Sequence, residues 1–473
     1  MAQGSVIVWF RQVIRLADHP ALVAAVATGQ PVIPVYILDD EAEGKWRLGG
    51  ARRWWLHHSI TALDRDLREK GSQLLLRRGS TVHQLLEVAE QTGARAVYAT
   101  RSLEPWAREL EAEIHTRLAD RGINLKRFPG VTLFEPEEVR AKSGHPLTIY
   151  APFRRAISSR SLPTPPSAPS RIASSARLPS SDRLDDWQLL PRSPDWAGGL
   201  REAWVPGEQA ATARLEAFLE EGLTNYHQLR DRPDLLGTSR LSPYLANGEI
   251  SLRTCWHAVR MREPGGGQEA FLRELAWREY SQHLLYHRPD LAEAPYRPDF
   301  RRLKWRRDEA GLEAWTRGRT GYPMVDAGMR QLWSCGWMHN RVRMITASFL
   351  TKHLLLPWQM GEEWFWDTLV DADLASNAVN WQWVAGSGAD AAPFFRIFNP
   401  VKQGEDYDPE GDYVRRWVPE LARLPAKHIH APWQSSEVER EQAGVVLGQD
   451  YPLPIVDHAA ARARALAAFE AMR

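Results

Sequence analysis

The sequence is poor in thiols, in net charge and in unbroken apolar runs. Only Cys255 and Cys335 occur among 473 residues, which excludes a disulfide scaffold and any four-thiolate metal site and fits a reducing compartment. Lys and Arg number 60 against 59 Asp and Glu. No global field therefore steers a polyanion, and any nucleic-acid binding must use local cationic patches. The uncharged run Ala21 to Leu38 is broken by Gly29-Gln30-Pro31 into a short helix and a β-rich stretch, so it reads as soluble rather than membrane-spanning. The apolar start Val6 to Phe10 stops at Arg11 without a cleavage-type site, and no secretory signal or membrane association is expected; the location expected is cytoplasmic. The second half of the N-terminal region lacks GxGxxG and GxxxxGK[ST], so neither dinucleotide nor Walker-type phosphate chemistry is signalled there. Tryptophan, by contrast, is abundant: 21 residues, more than a core of this size requires.

A hydrophobic share of 44% with 25% charged residues is that of a globular protein, and the length suggests about two or three domains. In residues 1–130, β-rich runs at 5–10, 32–38, 73–77, 96–99 and 124–128 alternate with helical patterns near 20–28, 50–70, 82–92 and 105–121. Thr81 reads as an N-cap, and Gly71, Gly93 and Gly122 as helix stops. This alternation predicts an α/β domain with a Rossmann-like parallel sheet. Residues 131–210 read as an interdomain linker: 157–181 is dominated by Ser and Pro, and 151–181 carries five Arg and no acid, a composition expected to bury little surface. From 211 to 473 strand-like runs nearly vanish and helical periodicity recurs, predicting an all-helical domain.

Five clusters could carry chemistry. Thr238-Ser239-Arg240-Leu241-Ser242 before Pro243 offers hydroxyls, backbone N–H groups and a guanidinium to an anion, or is an ordinary capping cluster. Glu274, Trp277 and Arg278 share one helical face; they could grip and stack on a base, or form an i,i+4 ion pair beside a core indole. Asn340 and Met344 share another face near Arg341 and Arg343, with His339 read as a satisfied core histidine. Asp371-Ala372-Asp373 could bind a divalent cation or accept hydrogen bonds from ribose and ring N–H groups, with Arg343 balancing the charge. Arg297, Arg301, Arg302, Lys304, Arg306 and Arg307 surround Trp305 with Asp299 as the only acid among them. His428 and His430 lack a Cys or carboxylate at ligand spacing, and no metal site is expected.

In succession, TSRLSPYL (238–245), ELAWREY (274–280), GWMHNRVRM (336–344), DADLASN (371–377) and WQWVAGSGADAAPFFRIFNP (381–400) strongly resemble the photolyase–cryptochrome family. The resemblance covers essentially the whole chain. It implies an antenna-binding α/β domain joined by a long linker to a helical FAD domain. By that resemblance Tyr226, Thr238, Ser239, Arg240, Leu241, Ser242, Phe271, Asn340, Arg343, Asp371 and Asp373 hold FAD, and Asn377 faces the flavin N5. Plant cryptochromes usually place Asp at that position and insect ones Cys.

The resemblance further implies a bacterial-type cyclobutane pyrimidine dimer photolyase, a carbon–carbon lyase in which excited FADH⁻ donates an electron to a flipped lesion and recovers it. Paired histidines of the (6-4) type are replaced by Asn340 and Met344. Trp277 and Trp383 would wall the lesion pocket, Glu274 would bond to the 5′ base, and Arg230, Arg278, Arg341 and Gln403 would meet phosphates, with Asn340 also at the DNA. Trp305, Trp358 and Trp381 match the family's photoreduction chain. Val13 stands where an acid is usual near the antenna pocket, so the antenna is a methenyltetrahydrofolate, with Trp106 as stacking partner, a deazaflavin, or none. The expected partner is ultraviolet-damaged DNA, the expected state a monomer without obligate protein partners. The alternatives are a cryptochrome-like photoreceptor, against which Asn377 and the lack of a disordered tail speak, and a (6-4) photolyase.

Overall fold

Strand and helix propensities in the first 130 residues resolve into a five-stranded, all-parallel sheet. Its strands are β1 (Val6–Phe10), β2 (Val32–Leu38), β3 (Leu75–Arg78), β4 (Ala96–Thr100) and β5 (Asn124–Phe128), in the order β3-β2-β1-β4-β5. The connecting helices are α1 (Pro20–Val26), α2 (Gly50–Glu69), α3 (Thr81–Thr92) and α4 (Pro105–Ala119). A computed structural model describes residues 4–175 and 178–472. Alternate residues of β1 serve two cores: Val6, Val8 and Phe10 pack with Leu22, Leu56 and Leu63, whereas Ile7 and Trp9 pack with Leu85, Val88, Ile114 and Leu118. This double cover explains why the central β1 and β2 read as continuous apolar runs, whereas the edge strands β3 and β5 carry Arg77, Arg78, Lys126 and Arg127.

Gly93 caps α3 in the left-handed conformation at φ 65°, and Gly71 and Gly122 also have positive φ, at 85° and 68°. The N-terminus of α3 departs from expectation. Thr81 is its first helical residue rather than its cap, and the side chain of Ser80 makes no capping bond. The carboxylate of Asp39 replaces it, accepting from the Thr81 N–H at 2.8 Å and the Thr81 hydroxyl at 2.9 Å.

The chain forms two compact units, one of residues 1–223, 239–289 and 370–373, the other of 224–238, 290–369 and 374–473. The boundary expected at 211 falls inside the first unit, which also takes two later segments. The reason lies in the supposed linker. It forms α5 (Tyr150–Ser158), whose Phe153 packs against Tyr280 at 5.2 Å and His283 at 4.9 Å on the long helix Gly266–His287. Glu279 of that helix accepts the N–H groups of Leu133 and Phe134 at 2.9 and 3.0 Å. The Ser/Pro-rich stretch also buries more than its composition implies. Ile157 and Ile172 are buried, and Ile172 N–H donates to Lys70 O at 2.8 Å while Ala173 O accepts from Val32 N–H at 2.7 Å. Scattered apolar residues dock because the end of α2 and the start of β2 supply backbone partners. Residues 176 and 177 of this stretch lie outside the described residues.

The second unit is helical. Its buried carboxylate Asp326 accepts from the Thr320 N–H and hydroxyl, the Gly321 N–H and the Tyr451 hydroxyl, at 2.6–3.0 Å. That binds the start of the helix Pro323–Cys335 to a distant part of the chain. An apolar cluster of Phe300, Leu303, Leu355, Phe394, Ala465 and Met472 closes one side, with Trp305 packed against it. No helix among the described residues is long and apolar enough to cross a membrane.

Candidate active site

In the first unit, Glu274, Trp277 and Arg278 lie half-buried on one face of the helix Gly266–His287. They are not joined by an i,i+4 ion pair. Glu274 Oε1 lies 3.5 Å from Arg273 Nε, while Arg278 donates to Asp373 Oδ2 at 2.9 Å and to Leu245 O at 3.3 Å. Gln282, one turn on from Arg278, donates to the same Asp373 oxygen at 3.0 Å. Two donors from one helix thus fix one carboxylate. The segment carrying it is tied a second time, because Asn247 Nδ2 donates to Val370 O at 2.9 Å. Asp371 is buried beside it in sequence.

Trp277 is not a simple core indole: Tyr150 stacks on it with ring centroids 3.6 Å apart and planes 3° from parallel. The Tyr150 hydroxyl donates to Arg273 O at 2.7 Å, which fixes that ring. Phe271 packs against Phe218 at 4.6 Å. The hydroxyl-rich loop does not cap a helix as expected. The helix that follows spans only Ser242–Ala246, its N-cap is Leu241, and no side chain caps it. Ser239 instead turns its Oγ to the Leu241 N–H at 3.3 Å, Arg214 holds Ser239 O at 2.7 Å, and Arg240 takes φ 53° with its guanidinium 4.5 Å over Trp204.

In the second unit, Arg230, Arg341 and Gln403 are brought near one another. Both guanidinium groups reach Asp231, at 3.9 and 3.1 Å, and Arg341 stacks over Tyr407 at 4.2 Å. Gln403 stands one helical turn before Tyr407, with its buried Oε1 lacking a partner among the described residues. Tyr226 is buried under Arg230 at 5.6 Å, and Thr238 is half-buried.

The helix Asn340–Ser348 starts at His339, whose Nδ1 accepts the Arg341 N–H at 3.2 Å. Only one of its nitrogens is satisfied; Nε2 is buried without a partner among the described residues, so the expectation of a fully satisfied histidine is corrected. Burial lowers its pKa to about 4, with Arg341 and Arg343 acting in the same sense against Asp231. The ring is neutral, as an acceptor at a helix start requires. Asn340 is exposed, and its Nδ2 lies 4.0 Å from Met344 Sδ, so the shared face is real. Arg343 donates through Nε to Met338 O at 2.7 Å.

The helix Leu374–Ala385 carries Asn377 and, one turn later, Trp381, both buried; Trp383 is half-buried. Asn377 Nδ2 donates to Glu362 O at 2.9 Å, which leaves its amide oxygen as the group it can present elsewhere. Trp381 lies against Gly361 of the helix Trp358–Thr368, within 5.0 Å of Phe365 and 6.2 Å of Trp315. A Cβ at Gly361 would stand 2.1 Å from Trp381 Cη2. Replacing Gly361 by alanine should therefore lower the unfolding free energy by about 2–3 kcal/mol through overpacking. Denaturant titration checks this, and adding Trp381→Leu should recover part of the loss.

Trp358 is buried and Trp305 half-buried. They are joined through the backbone, because the Arg306 N–H donates to Leu355 O at 2.8 Å, three residues before Trp358. That hydrogen bond links the segment of Trp305 to that of Trp358, and Gly361, one turn further along the helix, is in contact with Trp381. Sequence spacing gave no sign of it.

Tyr150, Asp231 and Tyr407 also went unseen: Tyr150 comes from a segment remote from Trp277, and Asp231 and Tyr407, though next to Arg230 and one turn after Gln403, are marked only by their contacts with the distant Arg341. Gln282 was accessible, standing four residues after Arg278. His428 and His430 do find carboxylates from elsewhere in the chain: His428 Nε2 lies 3.5 Å from Glu439 Oε2, and His430 Nε2 lies 3.9 Å from Asp408 Oδ2 while donating to Asp408 O at 2.7 Å.

Residues 6–170 match the family model described as DNA photolyase, and residues 271–471 match the FAD binding domain of DNA photolyase. The chain is 49% identical over 472 residues to the deoxyribodipyrimidine photo-lyase of Agrobacterium fabrum, an alignment covering 99% of this chain and 98% of that protein. It is 39% identical to cryptochrome-1 of Arabidopsis thaliana, covering 98% of this chain and 69% of that one. The crystal structure of a bacterial class III photolyase from Agrobacterium tumefaciens superposes with a TM-score of 0.97 at 48% identity, covering 100% of this chain and 98% of the other.

The donor set fits the flavin that such a domain binds. Asp371 and Asp373 of the first unit are carboxylates of the kind that accept from ribose and ring N–H groups, and Arg343 of the second is a cation. Trp381 Nε1 is a buried N–H without an acceptor among the described residues. Such an orphan costs about 1–3 kcal/mol unless a ligand atom meets it. With two family models matching and full-length relatives at this identity, the chain belongs to the DNA photolyase–cryptochrome family.

Proposed function

We propose that this protein repairs cyclobutane pyrimidine dimers in DNA by light-driven electron transfer. The observation that carries the reading is the Asn340–Met344 pair, an amide and a thioether 4.0 Å apart on one helical face where a (6-4) enzyme would carry paired histidines. Identity of 49% with a deoxyribodipyrimidine photo-lyase along nearly the whole chain supports it. Bound and fully reduced, FAD supplies the photoexcited electron that opens the two C–C bonds of the lesion, and recovers it afterwards. The protein contributes binding, orientation and a dry electrostatic setting.

Tyr226, Thr238 to Ser242, Phe271, Asn340, Arg343, Asp371 and Asp373 would hold the cofactor. Asn377, with its amide nitrogen given to Glu362 O, would turn its oxygen to the flavin N5, where an acceptor suits a reduced ring carrying N–H. Trp277, already stacked on Tyr150, and Trp383 would flank the extruded pyrimidines, and Glu274 would bond to the 5′ base. Arg230, Arg341 and Gln403 would meet the phosphates. Arg278 acts differently from the expectation of a phosphate contact: its place in this reading is to orient Asp373. Trp305, Trp358 and Trp381 would relay electrons inward to restore the reduced cofactor. A methenyltetrahydrofolate near Trp106, or a deazaflavin, would serve as antenna.

The test uses holoprotein and oligonucleotides bearing a single defined lesion. Thymine dimers should disappear only under light, and (6-4) products should persist. Glu274→Gln should lower dimer repair about tenfold, the equivalent of one charge-assisted hydrogen bond, while flavin content stays unchanged. Dark activity, or repair of (6-4) lesions alone, would refute the reading. Likeness to cryptochrome-1 favours a photoreceptor as second reading; illuminated holoprotein that binds flavin and leaves thymine dimers intact would support it.

A further inference from the structure

Residues 297–307 hold six cations and one carboxylate, in a protein whose net charge is +1. Arg297, Arg301, Arg302, Lys304, Arg306 and Arg307 are all exposed, and they stand on both sides in sequence of the half-buried Trp305. A short turn, Pro298–Arg302, and an extended segment present them, anchored by Phe300 and Leu303 in the apolar cluster on which Trp305 packs. Neutralisation is slight. Arg302 pairs with Asp299 at 3.1 Å, both well exposed, and Arg306 lies 3.6 Å from Asp308. Arg301, Lys304 and Arg307 have no carboxylate within ion-pair distance among the described residues. The C-terminal helix His458–Glu470 adds Arg464, lowered in pKa by burial and by the nearby positive charge of Arg306.

We propose that this cationic collar is a steering surface for small anionic one-electron reductants, which meet the protein at Trp305. The proposal rests on the reading of Trp305 as the outer end of the tryptophan relay. After passing an electron inward, Trp305 is an indole radical cation. One electron from the reductant restores it, the reductant is left oxidised by one electron, and no bond or proton need move. A focused positive field raises the encounter rate of anions by about 10- to 1,000-fold and loses that effect as salt screens it. Nucleic acid is the other polyanion to consider, and the observations favour the reductant. Cations for a duplex are spread along successive phosphates, whereas these six crowd onto eleven residues around a single indole. The arginines proposed for DNA, Arg230 and Arg341, share Asp231 and belong to other segments.

The test follows decay of the tryptophan radical after a light flash in holoprotein, with ferrocyanide as the anionic donor and hydroquinone as a neutral one. Between ~10 mM and ~0.5 M salt the ferrocyanide rate constant should fall at least about tenfold, and the hydroquinone rate should stay level. The double variant R301E/K304E should lose about as much with ferrocyanide at low salt and nothing with hydroquinone. Circular dichroism melts should confirm an intact fold for these exposed changes. A readout independent of the flavin is quenching of the Trp305 fluorescence, taken as wild type minus W305F, where iodide should outdo caesium. Equal salt dependence for both donors, or an unaffected double variant, overturns the proposal while the relay stands. So does a variant that loses affinity for undamaged duplex with donor rates unchanged, since the collar would then belong to DNA. W305F that keeps full light-driven flavin reduction sinks the relay itself and the proposal with it.

Discussion

Arg278→Ala is expected to destabilise the protein by about 2–4 kcal/mol and to strip most of its flavin. The guanidinium is only 18% exposed and the Asp373 carboxylate 11%. Removing one member of a buried pair leaves an uncompensated charge, which costs about 3–5 kcal/mol when burial is complete and somewhat less here. Gln282 would remain on Asp373 Oδ2, but a neutral amide cannot balance a carboxylate. Asp373 would then turn toward water or take up a proton, and either change removes a fixed acceptor from the cofactor set proposed above. Flavin absorbance per polypeptide and a denaturant titration measure the two effects. Arg278→Lys should restore part of both, since a point charge replaces a forked donor. Adding Asp373→Asn to Arg278→Ala should return stability but not flavin. Were Arg278 a phosphate contact alone, flavin content and stability would hold while affinity for DNA fell.

That experiment also marks where the sequence stopped being readable. The parallel sheet was legible nearly strand by strand, because a doubly covered sheet needs continuous β-branched runs and the intervening helices carry their own stops. Glu274, Trp277 and Arg278 were legible as a face because helical spacing is local. Their partners were not: Asp373 lies 95 residues beyond Arg278, and Tyr150 lies in a stretch whose composition read as linker. Composition failed there because a segment with few apolar residues can still dock when neighbouring backbone meets its own, as the Ile172 bond to the end of α2 and the Ala173 bond to the start of β2 do. At Ser242 the hydroxyl pattern pointed to a capped helix, and the loop used Ser239 and Arg214 to hold itself in a different shape. Motif order revealed the family when the individual spacings did not, since the contacts that link the segments of Trp305, Trp358 and Trp381, a hydrogen bond and a glycine contact, leave no periodic trace.

Stability of the first unit should fall as pH rises from about 4.5 to about 8, and Glu249 is the reason. It is 1% exposed and sits where three segments meet: its Oε1 accepts from the Ser59 hydroxyl of α2 and from the Gly207 N–H at 2.7 Å. Its Oε2 is buried as well, with the Trp55 indole as a further donor to the carboxyl. Burial raises the pKa to about 8; the Ser59, Trp55 and Gly207 donors oppose the shift and the charge of Glu208 adds to it. A carboxyl whose folded pKa lies above its unfolded value keeps its proton longer in the folded state. Below about pH 4.5 both states are protonated and burial carries no ionic penalty. Between that pH and about 8 the unfolded state sheds the proton and gains on the folded one, at about 1.4 kcal/mol per pH unit. Above about 8 both states are ionised and the loss, about 5 kcal/mol, is complete. Glu249→Gln cannot ionise, and its amide oxygen can still accept from Ser59 and Gly207. The difference in unfolding free energy between variant and wild type should therefore be small near pH 5 and should favour the variant by up to about 5 kcal/mol near pH 9. Denaturant titrations of both proteins at these two pH values measure it. A difference that stays constant across the range would mean that Glu249 titrates alike in the folded and unfolded chains, and that its contacts, rather than its charge, set its effect on the fold.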